Sequence, residues 1–282
     1  MKRMLKLTPE NYYSIETDWD YMSFSQFKNF EECEAKELAR LKGEWEPTKK
    51  KSTSTADPLI LGNYVHSYFE SKDAHEAFIE ENKKELLSSR GATKGKLKAS
   101  YKLAEEIITS LNADDMFAYF YKPGDKEVIV TGEIEGIAWK GKLDSLSLKN
   151  GFFCDLKTVD DLHKRHWNAD ERRWVPFVED RQYHMQMAVY RELSKQTFGK
   201  DLAPLMFAAS KQSIPDKMAI DFESEEDQQL MREAMDKILA NQDRYHKVMM
   251  GEVEPKACGR CEYCRINKQL SDFTHASDIE VD

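Results

Sequence analysis

The chain has 282 residues, of which 40% are hydrophobic, 11% aromatic and 33% charged, with a formal net charge of −9. This length buries a sizeable core and suits one large domain or two small ones, and the composition excludes an intrinsically disordered chain. The negative balance argues against a protein that coats nucleic acid indiscriminately, although a local basic groove beside acidic metal ligands remains compatible with it.

No apolar run approaches the roughly 20 residues a membrane helix needs. The basic start, Met1 to Lys6, is followed by no apolar stretch or small-residue cleavage site. The chain therefore reads as cytoplasmic, with no membrane partner. In chain order, residues 20–44 read as a helical entry, with Ser23 and Ser25 as candidate caps and Phe24, Phe27 and Phe30 three apart. Residues 45–57 form a polar, basic loop, and a helix is expected from Pro58 to Glu70. Residues 82–102 carry Lys83, Lys84, Arg90, Lys94, Lys96, Lys98 and Lys102, which fit either a solvated face or a phosphate-binding run.

From Glu127 to Thr158 the pattern turns to β, with Glu135-Gly136 and Asn150-Gly151 as turn signals. A helix returns over 180–196, Pro204 to Ala209 reads as a short buried strand, and 223–250 as a long charged helix ending near Gly251. The tail carries Cys258, Cys261 and Cys264 and closes on acidic residues. This order predicts an α/β (α+β) fold with a mixed sheet flanked by helices and added N- and C-terminal helices. We read one domain over 1–282, divided into a helical entry (20–57), a core (58–222) and a C-terminal helix with its cysteine-containing tail (223–282).

With Asn150-Gly151 as a two-residue turn, Lys149 would pair with Phe152, Leu146 with Asp155, and Asp144 would lie opposite Lys157. Asp155 and Lys157 are two apart and share a sheet face, while Cys154 and Leu156 point to the other side. Two carboxylates and an ammonium then converge. A divalent cation relieves the repulsion between such carboxylates and can activate water, and a neighbouring lysine can neutralise charge building on a phosphate. The alternative is a surface strand with an Asp–Lys cross-strand pair, which stabilises by only about 0.2–1 kcal/mol.

Gly141-Lys142-Leu143-Asp144 followed by Phe153-Cys154-Asp155-Leu156-Lys157-Thr158 resembles the D…(D/E)-x-K signature of the PD-(D/E)XK nuclease superfamily. Gly62-Asn63-Tyr64-Val65-His66 resembles the glycine-and-histidine helix of the RecB-like branch, and Gln186-Met187-Ala188-Val189-Tyr190 its Q-x-x-x-Y helix. The opening from Ser23 through Cys33 resembles phage-type RecE-like exodeoxyribonucleases. The resemblance implies that His66, Asp144 and Asp155 ligate Mg²⁺ or Mn²⁺ and that Lys157 is the catalytic lysine. Gln186 and Tyr190, at i and i+4, share a helix face that the resemblance places beside the site. Residues packed against a core are the alternative for both, as is a half-buried helix histidine for His66. Arg165, Arg172 and Arg173, with Trp167 and Trp174 in the same segment, suit gripping and stacking DNA, or else cover the core. Lys94, Lys96 and Lys98 are further candidates for DNA phosphates.

Three thiols within seven residues at Cys258, Cys261 and Cys264 read as metal ligation in a reducing compartment. Some RecB-like nucleases close a 4Fe–4S cluster with one early and three late cysteines, which makes Cys33 the candidate fourth ligand. The second late gap is narrower here than is common in those relatives. Structural Zn²⁺ completed by Cys33 or His246, or three reduced thiols without metal, are the alternatives. The resemblance further implies shortening of linear duplex DNA from its ends, 5′ to 3′, in phage-type recombination with a single-strand annealing partner, in a ring-shaped homo-oligomer. The rival readings are a RecB-like nuclease acting on single strands or flaps and a non-catalytic, zinc-containing DNA-binding module.

Overall fold

The computed structural model describes residues 5–47, 56–169 and 171–278. Most of the expected polar loop, residues 48–55, lies outside them. The helical entry is three helices, α1 (Ile15–Asp20), α2 (Phe24–Glu32) and α3 (Glu34–Leu41). Ser23 caps α2 by accepting from the Gln26 N–H, whereas Ser25 is an exposed residue within the helix. Cys33, in extended conformation, ends α2 and starts α3.

Helix α4 (Pro58–Glu70) has the expected bounds: Asp57 accepts from the N–H groups of Leu59 and Ile60, and proline occupies the first turn, where its missing N–H costs nothing. Helices α5 (Lys72–Glu81), α6 (Lys83–Leu86), α7 (Lys102–Asn112) and α8 (Asp115–Phe120) follow. Strands β1 (Asp125–Ile134), β2 (Ile137–Ser147) and β3 (Phe152–Val159) form an antiparallel meander. A small hairpin of β4 (His166–Asn168) and β5 (Arg173–Val175), helix α9 (Phe177–Asp180) and helix α10 (Tyr183–Phe198) lead to β6 (Ala203–Ser210), which pairs parallel to β3. Strand β7 (Lys217–Asp221) completes a mixed five-stranded sheet in the order β1-β2-β3-β6-β7. Helix α11 (Glu225–Met249) and the short α12 (Glu262–Ile266) end the chain.

The sheet separates two cores. One face, through Leu143, Phe153 and Met206, packs against α2, α3, α10 and α11. The other, through Cys154, Leu156, Phe207 and Ala209, packs against α4, α7 and α8. Alternation along β3 therefore sends Cys154 and Leu156 into the second core, as expected, and leaves Phe153, Asp155 and Lys157 on the α10 face. The expected register needs correction by two residues. Ser147 pairs with Phe152, Leu146 with Phe153 and Ser145 with Cys154, because residues 148–151 form a longer connection in which Gly151 takes φ 81°. Asp144 is thus level with Asp155, not Lys157. A two-residue slip preserves which face each side chain occupies.

Gly62 brings α4 close to β3. A Cβ there would lie 3.0 Å from Thr158 Oγ1, so the glycine permits the approach that carries His66, one helical turn later, to the sheet. Gly62→Val is expected to cost about 1–3 kcal/mol by overpacking and to lower Tm by several degrees, read by thermal denaturation. An unchanged Tm would mean that α4 is not held at this distance.

Candidate active site

Strands β2 and β3 stay paired for three residue pairs and then diverge. Where the ladder opens, the Leu156 N–H donates to Asp144 Oδ2 at 2.7 Å. The carboxylate thus replaces a backbone acceptor and is fixed beside β3. On α4, His66 Nδ1 stands 3.5 Å from the same oxygen. On β3, Asp155 is 2% exposed, accepts from Gln186 Nε2 of α10 at 3.1 Å, and places Oδ2 2.7 Å from the Lys157 ammonium. Lys157 in turn sits over the Tyr183 ring, 5.0 Å from its centroid. His66, Asp144, Asp155, Lys157, Gln186 and Tyr190 all line one cleft of about 940 Å³.

Burial pushes both Asp144 and Asp155 up to about 6. Each carboxylate also feels another: Glu127 raises Asp144, and Asp144 raises Asp155, while Lys157 opposes both shifts. Burial pulls the Lys157 ammonium down, but Asp155 and its neighbours outweigh this and hold it above the ordinary lysine range, so it stays charged. Burial, with Lys157, lowers His66 and keeps its imidazole neutral, the form that ligates metal.

The donor set fits a hard divalent cation. Such an ion takes one or two carboxylates and keeps waters for the rest of its shell. Asp155 Oδ2 is buried and faces the Lys157 ammonium, 2.7 Å away. An oxygen in that state has lone pairs available to a cation.

Sequence reasoning missed Glu127, Lys142, Tyr12 and Tyr13, which also line the cleft. Glu127 falls between the pairs Lys126–Ser145 and Val128–Leu143, across from Asp144, with φ 55°. It forms an ion pair with Lys142. Alternation read along residues 127–135 does not distinguish it from Glu133 and Glu135, which are exposed and outside the cleft. Tyr190 is held by Gly141, where a Cβ would meet the ring at 2.9 Å.

None of the expected DNA-binding cations lines this cleft. Lys94 and Lys96 are exposed between α6 and α7, and Lys98 donates to the Lys84 carbonyl. Arg165 lies over the Trp174 ring at 5.2 Å, Arg173 pairs with Glu171 and Glu179, and Arg172 is exposed at the hairpin turn with φ 52°. Trp167 and Trp174 are more than half exposed and pack edge to face, so they do not cover the core. Besides Lys157 and His66, the basic groups that line the cleft, Arg40, Lys140 and Lys142, are each paired with a carboxylate.

Away from the cleft, Cys33 meets Cys258, Cys261 and Cys264, the four sulfurs lying within 4.8 Å of one another. His246 is not in this group; it lies beside Trp19 and Met249 in a separate pocket. Cys154 is buried in the second core, where burial pushes its thiol up to about 12.

Residues 23–267 match the family described as "PDDEXK-like domain of unknown function (DUF3799)". A solved structure described as "Putative exonuclease" from Eubacterium rectale is 35% identical, with a TM-score of 0.83 over 97% of this chain and 98% of that one. No curated protein gives a match. The mixed sheet flanked by helices is the fold expected from the motifs, and the chain belongs to the PDDEXK-like family within the PD-(D/E)XK superfamily.

Proposed function

We propose that the protein is a metal-dependent DNA exonuclease that hydrolyses phosphodiester bonds from the ends of linear duplex. The observation that carries this reading is the convergence of Asp144, Asp155, His66 and Lys157 in one cleft, with both carboxylates raised to about 6. Asp144, Asp155 and His66 would hold Mg²⁺ or Mn²⁺. A divalent cation there supplies Lewis acidity toward the scissile phosphate and lowers the pKa of bound water.

Lys157 places a permanent positive charge beside the carboxylates, where it orients the attacking water and offsets charge growing on phosphate oxygens. Gln186 holds Asp155 by one oxygen and so fixes its rotamer. Tyr190, raised by burial and by Asp155, stays a neutral hydroxyl able to donate to DNA. Water adds to phosphorus and gives up a proton, the P–O3′ bond breaks with O3′ taking up a proton from solvent to leave as a 3′-hydroxyl, and a 5′-phosphate is left. A non-catalytic binding module has no use for two buried, mutually repelling carboxylates.

By resemblance to RecE-like enzymes, the direction is 5′ to 3′, the exposed undigested strand passes to a single-strand annealing protein, and the active form is a ring. End-labelled linear duplex and covalently closed circles, each with Mg²⁺, Mn²⁺ or chelator, test this. Early release of the 5′ label from linear duplex, with circles intact, is expected. Cleavage confined to flaps or single strands would replace the duplex reading with the RecB-like one, and binding without cleavage on every substrate would refute the enzyme.

A further inference from the structure

We propose that Cys33, Cys258, Cys261 and Cys264 bind one tetrahedral Zn²⁺ ion that pins the C-terminal tail to the α2–α3 junction and thereby fixes the cleft wall carried by α2. The sulfur spacing is the primary observation. Cys33 Sγ lies 3.6 Å and Cys258 Sγ 3.9 Å from Cys264 Sγ, and all four sulfurs lie within 4.8 Å of one another. Zinc–thiolate bonds of about 2.3 Å in a tetrahedron put neighbouring sulfurs about 3.8 Å apart. In a 4Fe–4S cluster each thiolate sits on its own iron, which separates the sulfurs by roughly 6 Å or more. Disulfides need about 2.05 Å. The spacing fits a single ion and is too tight for the cluster that the resemblance suggests.

The backbone is also arranged for thiolates. The Cys258 N–H points at Cys33 Sγ (3.4 Å), the Cys261 N–H at Cys258 Sγ (3.3 Å) and the Cys264 N–H at Cys261 Sγ (3.5 Å). Gly259, at φ 75°, makes the turn between the first two ligands. The Lys36 ammonium, ion-paired with Glu32, also interacts with Cys33 and Cys261.

The surroundings show what the ion would hold. Cys33 makes no side-chain cap to α3, and its sulfur faces the other three instead. Beside it the Ala35 N–H donates to the Lys256 carbonyl at 3.0 Å, and the Lys256 N–H donates to Glu34 Oε2 at 2.8 Å. Arg244 of α11 grips both Glu34 oxygens at 2.7 and 2.8 Å. On the other side of Cys33, α2 carries Phe24, Gln26 and Asn29 into the cleft lining. Releasing the tail would free one end of that wall. The proposal does not rest on the nuclease reading.

The test is elemental analysis of wild type, Cys33→Ser and Cys258→Ser, purified anaerobically so that an oxygen-sensitive cluster would survive. Cys258 is exposed, so its variant is expected to fold even if the buried Cys33→Ser does not. About one zinc per chain is expected in wild type, with no iron or acid-labile sulfide, and loss of that zinc in Cys258→Ser. Cobalt in its place should show the visible bands of a tetrahedral thiolate site. Hydrogen exchange over Phe24–Glu32 should be faster in the zinc-free variant. About four irons with sulfide per chain, a metal-free wild type, or zinc retained in Cys258→Ser would each overturn the site. Zinc lost with unchanged exchange in α2 would overturn its role in the cleft wall.

Discussion

Lys157→Ala is expected to lower kcat on linear duplex DNA by about 10²–10³-fold, with KM within a few-fold of wild type. The ammonium is buried beside Asp155 and over the Tyr183 ring, so it meets substrate only where the carboxylates meet the scissile phosphate. It therefore contributes to the transition state far more than to duplex affinity. Its removal has a second consequence. Lys157 is the largest of the influences that hold Asp144 and Asp155 down against burial. Without it, both carboxylates move above about 6, and the acid limb of residual activity moves to higher pH. Steady-state kinetics across pH 5 to 8 read both effects. Undiminished activity in the variant would place the chemistry elsewhere in the molecule.

Mg²⁺ binding is expected to weaken about 30-fold between pH 6 and pH 5, as each carboxylate passes from half ionised to about one-tenth ionised. Only an ionised carboxylate ligates well, and burial holds Asp144 and Asp155, the proposed ligands, at about 6 instead of the ordinary 3.8. Surface carboxylates would lose the ion about two pH units lower.

The stability consequence has a definite sign. Between pH 4 and 6 the folded, metal-free protein binds more protons at these positions than the unfolded chain. Their contribution to stability is therefore present at low pH and is lost as pH rises through 6. A bound cation offsets that loss. At a concentration of 100 times Kd it stabilises by about 2.7 kcal/mol, a shift of roughly 5–10 °C for a chain of this size. Thermal melts with and without Mg²⁺ should show this increment at pH 7 and almost none at pH 5. An increment independent of pH over that range would assign the ion to other ligands.

Much of the site is legible along the chain because β-strand side chains alternate with period 2. Asp155 and Lys157 must share a face whatever the turn does, and a register wrong by two leaves that conclusion intact. The same argument separates Cys154 and Leu156 into the opposite core. Helix α4 is equally legible, since Asp57, Pro58 and the apolar spacing are local signals. Helix α7 was also within reach: Ala104, Ile107, Ile108 and Leu111 are buried at helical spacing. Reading residues 82–102 by their lysines passes over the pattern that begins beside them. Strand β7 and the β4–β5 hairpin are short, and only pairing with a neighbour makes them strands.

The residue types therefore determined which groups are on offer: two carboxylates, a lysine ammonium, an imidazole and four thiols. They also determined which strand side chains share a face, because that depends only on neighbours along the chain. Tertiary structure alone decided the distances. It set Asp144 level with Asp155, brought Glu127 across from Asp144, carried His66 to the opening between β2 and β3, and joined Cys33 to Cys264 across 231 residues. Those approaches follow from two helical layers packing on opposite faces of one twisted sheet, and non-local packing of that kind leaves no periodic trace in the chain.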